Sequence, residues 1–222
     1  RSSGESFRLL TNHRMPVVVL DRRVAARNVD SVRCDSEAGA HALAQHLVDL
    51  GHRRIAVLTG RRNISTSIDR VAGCRRALEE AGLTLPDEMV HWGGFNYGRL
   101  NQADGLRMAQ EVLAAEGERP TAIFCANNFI GFGAIRALRE AGLRVPDDMS
   151  VVAFDDLPEE WVSEPFLTVA AQPAYEIGHR AVTLLLDHIA GDDVPSGQSI
   201  VLPFELIIRR SSGPPPVPSA TA

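Results

Sequence analysis

Lysine is absent: all 23 basic residues of this 222-residue chain are arginine. We read that as the codon bias of a GC-rich genome and not as a device for gripping phosphate. A net charge of -5 and a pI near 5.8 exclude a stretch that holds a nucleic-acid backbone by itself, because such binding needs clustered cations. Cysteine is scarce. Cys34, Cys74 and Cys125 lie far apart with no CxxC pair, which leaves neither a zinc site nor a disulfide framework and fits buried thiols in a reducing cytoplasm. Nowhere does an apolar run approach the roughly 20 residues of a membrane span, and no signal-peptide core opens the sequence. The seven histidines never adopt an HxxxH or HExxH spacing. Also missing are a G-x-S-x-G elbow, a GxxxxGK[ST] loop and a GxGxxG turn after a strand, so an enzyme of the doubly wound class finds no support.

What is present is a regular alternation of short apolar runs with longer amphipathic stretches, the pattern of βα units feeding a parallel sheet. Pro16 to Leu20 reads as a buried strand. Asp35 or Ser36 can cap a helix running to Leu50 that Gly51 ends. Ile55 to Thr59 is the next strand, and a polar loop from Gly60 leads to a helix over Ile68 to Ala81, opened by Arg70 and closed by Gly82. Val90 to Trp92 is a short strand. A helix follows over Leu100 to Ala115, then a strand over Ala122 to Ala126 and a helix over Phe129 to Glu140. Ser150 to Phe154 is a strand, Tyr175 to Ile189 an amphipathic helix and Ile200 to Ile208 a final strand. From Gly213 the proline-rich run GPPPVPSATA reads as a disordered tail. Arg1 to Asn12 reads as the end of a connection from preceding βα units.

Parallel α/β folds bind ligands outside the carboxyl ends of their strands. The loops there carry Ser65, Thr66 and Ser67, then Arg70; Phe95, Asn96 and Tyr97; Asn127 and Asn128; and Asp155 and Asp156. Amides, a carboxylate, a guanidinium and aromatic rings together suit a polyhydroxylated ligand, since bidentate groups fix hydroxyl pairs and a ring covers an apolar sugar face.

The segments LGHRRIAVLTG, DRVAGCRRALEEAG, PTAIFCANNFIGFGAIRALREAGLRVPDDMSVVAFDD, LTVAAQP with EIGHRAVTLLLDHIAG, and LPFELIIRRSS occur in this order. From about Pro16 to Ser212 the chain resembles the effector domain of the LacI/GalR repressor family. The resemblance implies a two-lobed periplasmic-binding-protein-like α/β fold that crosses between lobes three times and holds a small effector, a sugar by family default, in the cleft. It further implies a homodimer, operator DNA bound through an N-terminal helix-turn-helix that this sequence does not contain, and no cofactor. Expected lobes are 1–52 with 170–198, and 53–169 with 199–212. Carried over by position, Arg70 matches the arginine of the family's R-x-x-G helix. Asn127 matches the first residue of its N-D pair, and Asp155 the aspartate after its G-F/Y turn. Phe95 approximates the stacking aromatic, Thr66 a hydroxyl contact and Asp35 an aspartate at the cleft edge. Asn128 stands where aspartate is usual, Ala153 where glycine is, and Val169 where threonine is common. A solute-binding protein of a sugar transporter is the alternative reading.

Overall fold

The computed structural model describes residues 15–23, 28–94, 102–158, 163–191 and 195–217. The chain divides into two compact units, Arg1–Asp35 with Gln172–Phe204, and Ser36–Ala171 with Glu205–Ala222.

In the smaller unit, β1 (Val18–Leu20), β2 (Asp30–Cys34) and β8 (Ser199–Leu202) form a parallel sheet in the order β1-β2-β8. The expected buried strand over Pro16 to Leu20 is shorter and half-buried, because β1 lies at a sheet edge, where Leu20 is exposed. β2 has no sequence signature, since DSVRC is half polar; Asp30 nevertheless sits buried, its carboxylate paired with His188 and accepting the Gln198 N–H at 2.6 Å. Helix α5 (Ala174–Ala190) packs on β1 and β2 with Ile177, Ala181 and Leu184 inward.

The larger unit builds a six-stranded sheet in the order β4-β3-β5-β6-β7-β9, from β3 (Ile55–Thr59), β4 (Val90–Trp92), β5 (Ala122–Cys125), β6 (Ser150–Phe154), β7 (Thr168–Ala171) and β9 (Glu205–Ile207). All neighbours are parallel except β7 and β9. β3, β5 and β6 are apolar almost without alternation, as strands covered on both faces must be, and every residue in them is buried. Their helices are α1 (Ser36–Asp49), α2 (Ser65–Glu80), α3 (Gln102–Ala114) and α4 (Asn128–Glu140). Gly73 of α2 lets two helices meet: a Cβ there would lie 2.2 Å from the Glu37 carbonyl of α1. Glycines stop the helices where expected. After α2 and α4, Gly82 and Gly142 take positive φ, and the next residues, Leu83 and Leu143, donate back to Leu78 and Leu138 at 2.8 and 2.9 Å.

Four expectations are corrected. The segment 200–208 is not one strand. Pro203, which cannot donate to a ladder, separates β8 from β9, and the two strands lie in different sheets of different units. The lobe boundaries move accordingly, since α1 belongs to the larger unit and β8 to the smaller. α2 begins at Ser65, so Arg70 lies in its second turn and does not open it. Finally, the segment from Gly213 is docked at its start. The Gly213 carbonyl accepts from His52 and Ser150, and the Pro215 ring lies against Gly51. Among the described residues no helix is long and apolar enough to cross a membrane.

Candidate functional site

Strand order reverses between β3 and β5: the chain passes from β3 outward to β4, then returns across β3 to β5. Such a switch point opens a crevice at the strands' carboxyl ends, and ligands of open α/β sheets bind there. α2 follows β3 and α4 follows β5, so the first turns of both helices stand beside that crevice.

Arg70 bridges it. Its side chain is buried, Nη1 donates to the Ala126 carbonyl just past β5, and the guanidinium lies 3.7 Å from the centroid of the Phe154 ring at the end of β6. The same nitrogen is 3.5 Å from Asp155 Oδ2, a long contact that joins the ends of β5 and β6. Arg70 Nε is buried without a hydrogen-bond partner, as is Thr59 Oγ1 at the end of β3. Each such group costs about 1–3 kcal/mol of desolvation.

Asp155 follows β6 with φ of 68°, in the left-handed region that Asp tolerates better than most residues, and its N–H donates to Ala170 O at 3.0 Å. Burial pushes its carboxyl above the usual carboxylate range, and the Arg70 cation only partly opposes this. A carboxylate at this position can accept a hydroxyl or N–H from a ligand.

Asn127 takes the N-cap of α4, where its side chain accepts from Ile130 N at 2.8 Å. That leaves its amide N–H pair available to a ligand. Thr66 is half-buried in the first turn of α2. The structure therefore brings Arg70, Asp155 and Asn127 to one edge of one sheet, with Thr66 on the helix that carries Arg70. Asp35 belongs to the smaller unit, where its N–H donates to Leu202 O at 3.0 Å. Phe95 lies outside the described residues.

Sequence reasoning marked Asn128 only as a departure and passed over Arg209 and the Arg62–Trp92 pair. Asn128, the departure from the usual aspartate, is buried and donates from Nδ2 to the Asp156 carbonyl at 3.0 Å, a bond an aspartate could not make when ionised. Arg209 grips Asp156 with both terminal nitrogens, 2.8 Å to Oδ1 and 2.6 Å to Oδ2. Burial raises the Asp156 carboxyl, but the Arg209 bonds and the Leu157 N–H outweigh it and hold that group below its ordinary value. On the β4 side, the Arg62 guanidinium lies 4.7 Å over the Trp92 ring. A cavity of about 80 Å³ lies beside Asp155, walled by Phe132, Phe166, Leu167 and Val169; neither Arg70 nor Thr66 lines it. Among the described residues no group of His, Cys, Asp and Glu could hold a metal ion, and all three cysteines are buried.

Residues 44–212 match the family described as periplasmic binding protein-like domain. The "HTH-type transcriptional repressor PurR" of Haemophilus influenzae (strain PittEE) is 37% identical over 199 residues, 89% of this chain and 57% of that protein. The chain thus spans little more than half the length of this relative. A LacI transcriptional regulator from a Rhodococcus species superposes with a TM-score of 0.84 at 29% identity, over 98% of this chain and 76% of that one. A LacI family transcriptional regulator from Enterococcus faecium, solved with bound ribose, gives 0.79 at 27%, over 96% and 76%.

Proposed function

The chain belongs to the LacI/GalR family of transcriptional regulators, and from that premise we propose that it is the effector-sensing part of a repressor, binding a small polar molecule at the carboxyl edge of its larger unit. The observation that carries this reading is the Arg70 bridge, a buried guanidinium that reaches from the helix after β3 to the ends of β5 and β6 and faces the Asp155 carboxylate, which burial holds above its ordinary value. Asp155 accepts from the effector, Asn127 donates from its free amide hydrogens, and Thr66 and Phe95 complete the contact set.

A sugar is the first choice of effector. Hydroxyl pairs suit a carboxylate and an amide, and the Enterococcus regulator holds ribose. A purine base is the second, favoured by the resemblance to repressors named PurR. In the full-length protein the effector is read out by a DNA-binding head, expected in the share of the relatives that this chain does not span, and by a homodimer that sets the spacing of two such heads. The effector moves that equilibrium only by its preference for one arrangement, about 1–3 kcal/mol of coupling.

A thermal-shift screen of the full-length protein against sugars, sugar phosphates and purines tests the proposal. A ligand at 100 times its dissociation constant adds about 2.7 kcal/mol of stability. A shift that vanishes in Arg70→Ala and Asp155→Ala supports the site; a shift that persists in both variants places the effector elsewhere.

A further inference from the structure

The turn after β6 is held on both sides of Asp155. Before it, Phe154 pairs with Ala170 of β7 and its ring lies under Arg70. After it, Asp156 is fixed at the carbonyl by Asn128 and at both carboxylate oxygens by Arg209, and its Oδ1 also accepts from Leu157 N at 2.9 Å. Arg209 is itself immobilised. Its N–H donates to Thr168 Oγ1 at 2.9 Å, its carbonyl accepts from the same hydroxyl at 3.0 Å, and Nη1 also donates to Leu167 O at 3.0 Å. The guanidinium is thus anchored to the start of β7 while its fork closes on Asp156.

We infer that Arg209 is a positioning residue of the proposed effector site: by clamping both oxygens of Asp156 it locks the left-handed turn that presents Asp155. The inference rests on Asp155 being the effector's acceptor. A planar two-pronged donor is needed for this, because it fixes the orientation of the carboxylate and with it the backbone that carries the carboxylate. An ammonium at the same place supplies charge without that geometry. With φ at 68°, Asp155 has a lower-energy extended conformation available, and a turn released at Asp156 lets the chain relax toward it and carry the Asp155 carboxylate away from Arg70. Arg210 provides an internal control. It is the next residue, carries the same charge, is 70% exposed and pairs only at the surface with Glu164.

The test uses the full-length protein with Arg209→Lys, Arg209→Gln and Arg210→Gln. Amide hydrogen exchange is followed at Asp155, Asp156 and Leu157, and dissociation constants are measured for two probes, D-ribose and guanine. In both Arg209 variants exchange at these amides accelerates at least tenfold. The dissociation constant of whichever probe binds the wild type rises at least tenfold in Arg209→Gln and about fivefold in Arg209→Lys, while Arg210→Gln matches wild type. A purely structural role would lower the melting temperature and leave the affinity of the folded protein unchanged, and that result overturns the inference. Wild-type exchange in Arg209→Lys, the milder change, overturns it too. If neither probe binds the wild type, the choice of effector fails on its own account, and the exchange rates still decide whether Arg209 holds the turn.

Discussion

The two edges of the six-stranded sheet pair their buried polar groups to different extents. At the amino edge His52, fully buried, spends both ring nitrogens. Nε2 donates to Gly213 O at 2.9 Å, so Nδ1 accepts the Thr121 hydroxyl at 2.8 Å. Ser150 Oγ accepts from Gly213 N and donates to Gly213 O, both at 3.0 Å. Thr168 and His46 meet at the Ser212 hydroxyl, and Ser211 Oγ ties β6 to the N–H of Thr168. Apart from the buried Arg54 Nε just before β3, which has no hydrogen-bond partner, donors and acceptors are paired in this network, which ties residues 211–213 to the starts of β5, β6 and β7. At the carboxyl edge they do not balance. Arg70 Nε and Thr59 Oγ1 are buried without partners, Asp155 adopts a strained φ, and its ion pair is long. One edge spends most of its buried bonding capacity on the fold, and the other leaves more of it unspent.

Removing a member of the saturated edge gives the largest expected effect. His52→Leu keeps the apolar bulk but strands the Thr121 hydroxyl and leaves the Gly213 carbonyl with Ser150 as its donor, and a buried polar group left without its bond costs about 1–3 kcal/mol of desolvation. Denaturant unfolding is expected to show a loss of about 3 kcal/mol, with the affinity for any effector found by thermal shift unchanged in the folded protein. A loss under about 1 kcal/mol would mean that the amino edge is no more optimised than the other.

At the carboxyl edge the same kind of change is expected to do the reverse. Asp155→Asn relieves the cost of burying a charge and removes the 3.5 Å ion pair with Arg70, so stability changes by less than about 1 kcal/mol in either direction. The stabilisation conferred by the effector drops at least tenfold in terms of affinity, about 1.4 kcal/mol. If calorimetry instead found Asp155→Asn as destabilising as His52→Leu, Asp155 would belong to the scaffold and the contrast between the edges would collapse.

How far each edge could be read from the sequence follows from what fixes it. β3, β5 and β6 were legible because strands buried on both faces must be apolar throughout, and the helix ends because Gly82 and Gly142 meet a backbone requirement that acts locally. Arg70, Asn127 and Asp155 were legible as a set because the resemblance ties each to a motif of fixed spacing. The split at Pro203 was not, since membership of one sheet or another is decided by partners far away in sequence. Nor was Arg209. In LIIRRSS nothing distinguishes it from Arg210, and only the fold brings one of the two to Asp156 and leaves the other in solvent. β2 stayed hidden for a related reason: its buried Asp30 is tolerable because the carboxylate is hydrogen-bonded by His188, 158 residues along the chain, and by the Gln198 N–H.

The smallest expected effect is the dependence of stability on pH, where the two edges pull against each other. Burial lowers the affinity of His52 for protons from its ordinary 6.5, although the Gly213 carbonyl opposes this; burial likewise lowers His46, against Asp49. The unfolded chain therefore binds these protons first as the pH falls. The stability the two histidines contribute is complete above about 6.5 and is lost below it, toward their folded values. Asp155 has the opposite sign. Its folded carboxyl binds a proton more readily than the ordinary 3.8, so the folded state gains as the pH falls through the raised value toward 3.8. Wild-type stability is then expected to fall between pH 7.5 and 5.5, with His91, whose proton affinity burial also lowers, adding to the loss, and to flatten on the acid side where Asp155 begins to compensate. Asp155→Asn removes that compensation and makes the acid limb steeper. Equal slopes in the two proteins, measured by urea unfolding at half-unit pH steps, would show that the charge at Asp155 is neutralised in the folded state by more than Arg70, and that the carboxyl edge is less strained than its geometry implies.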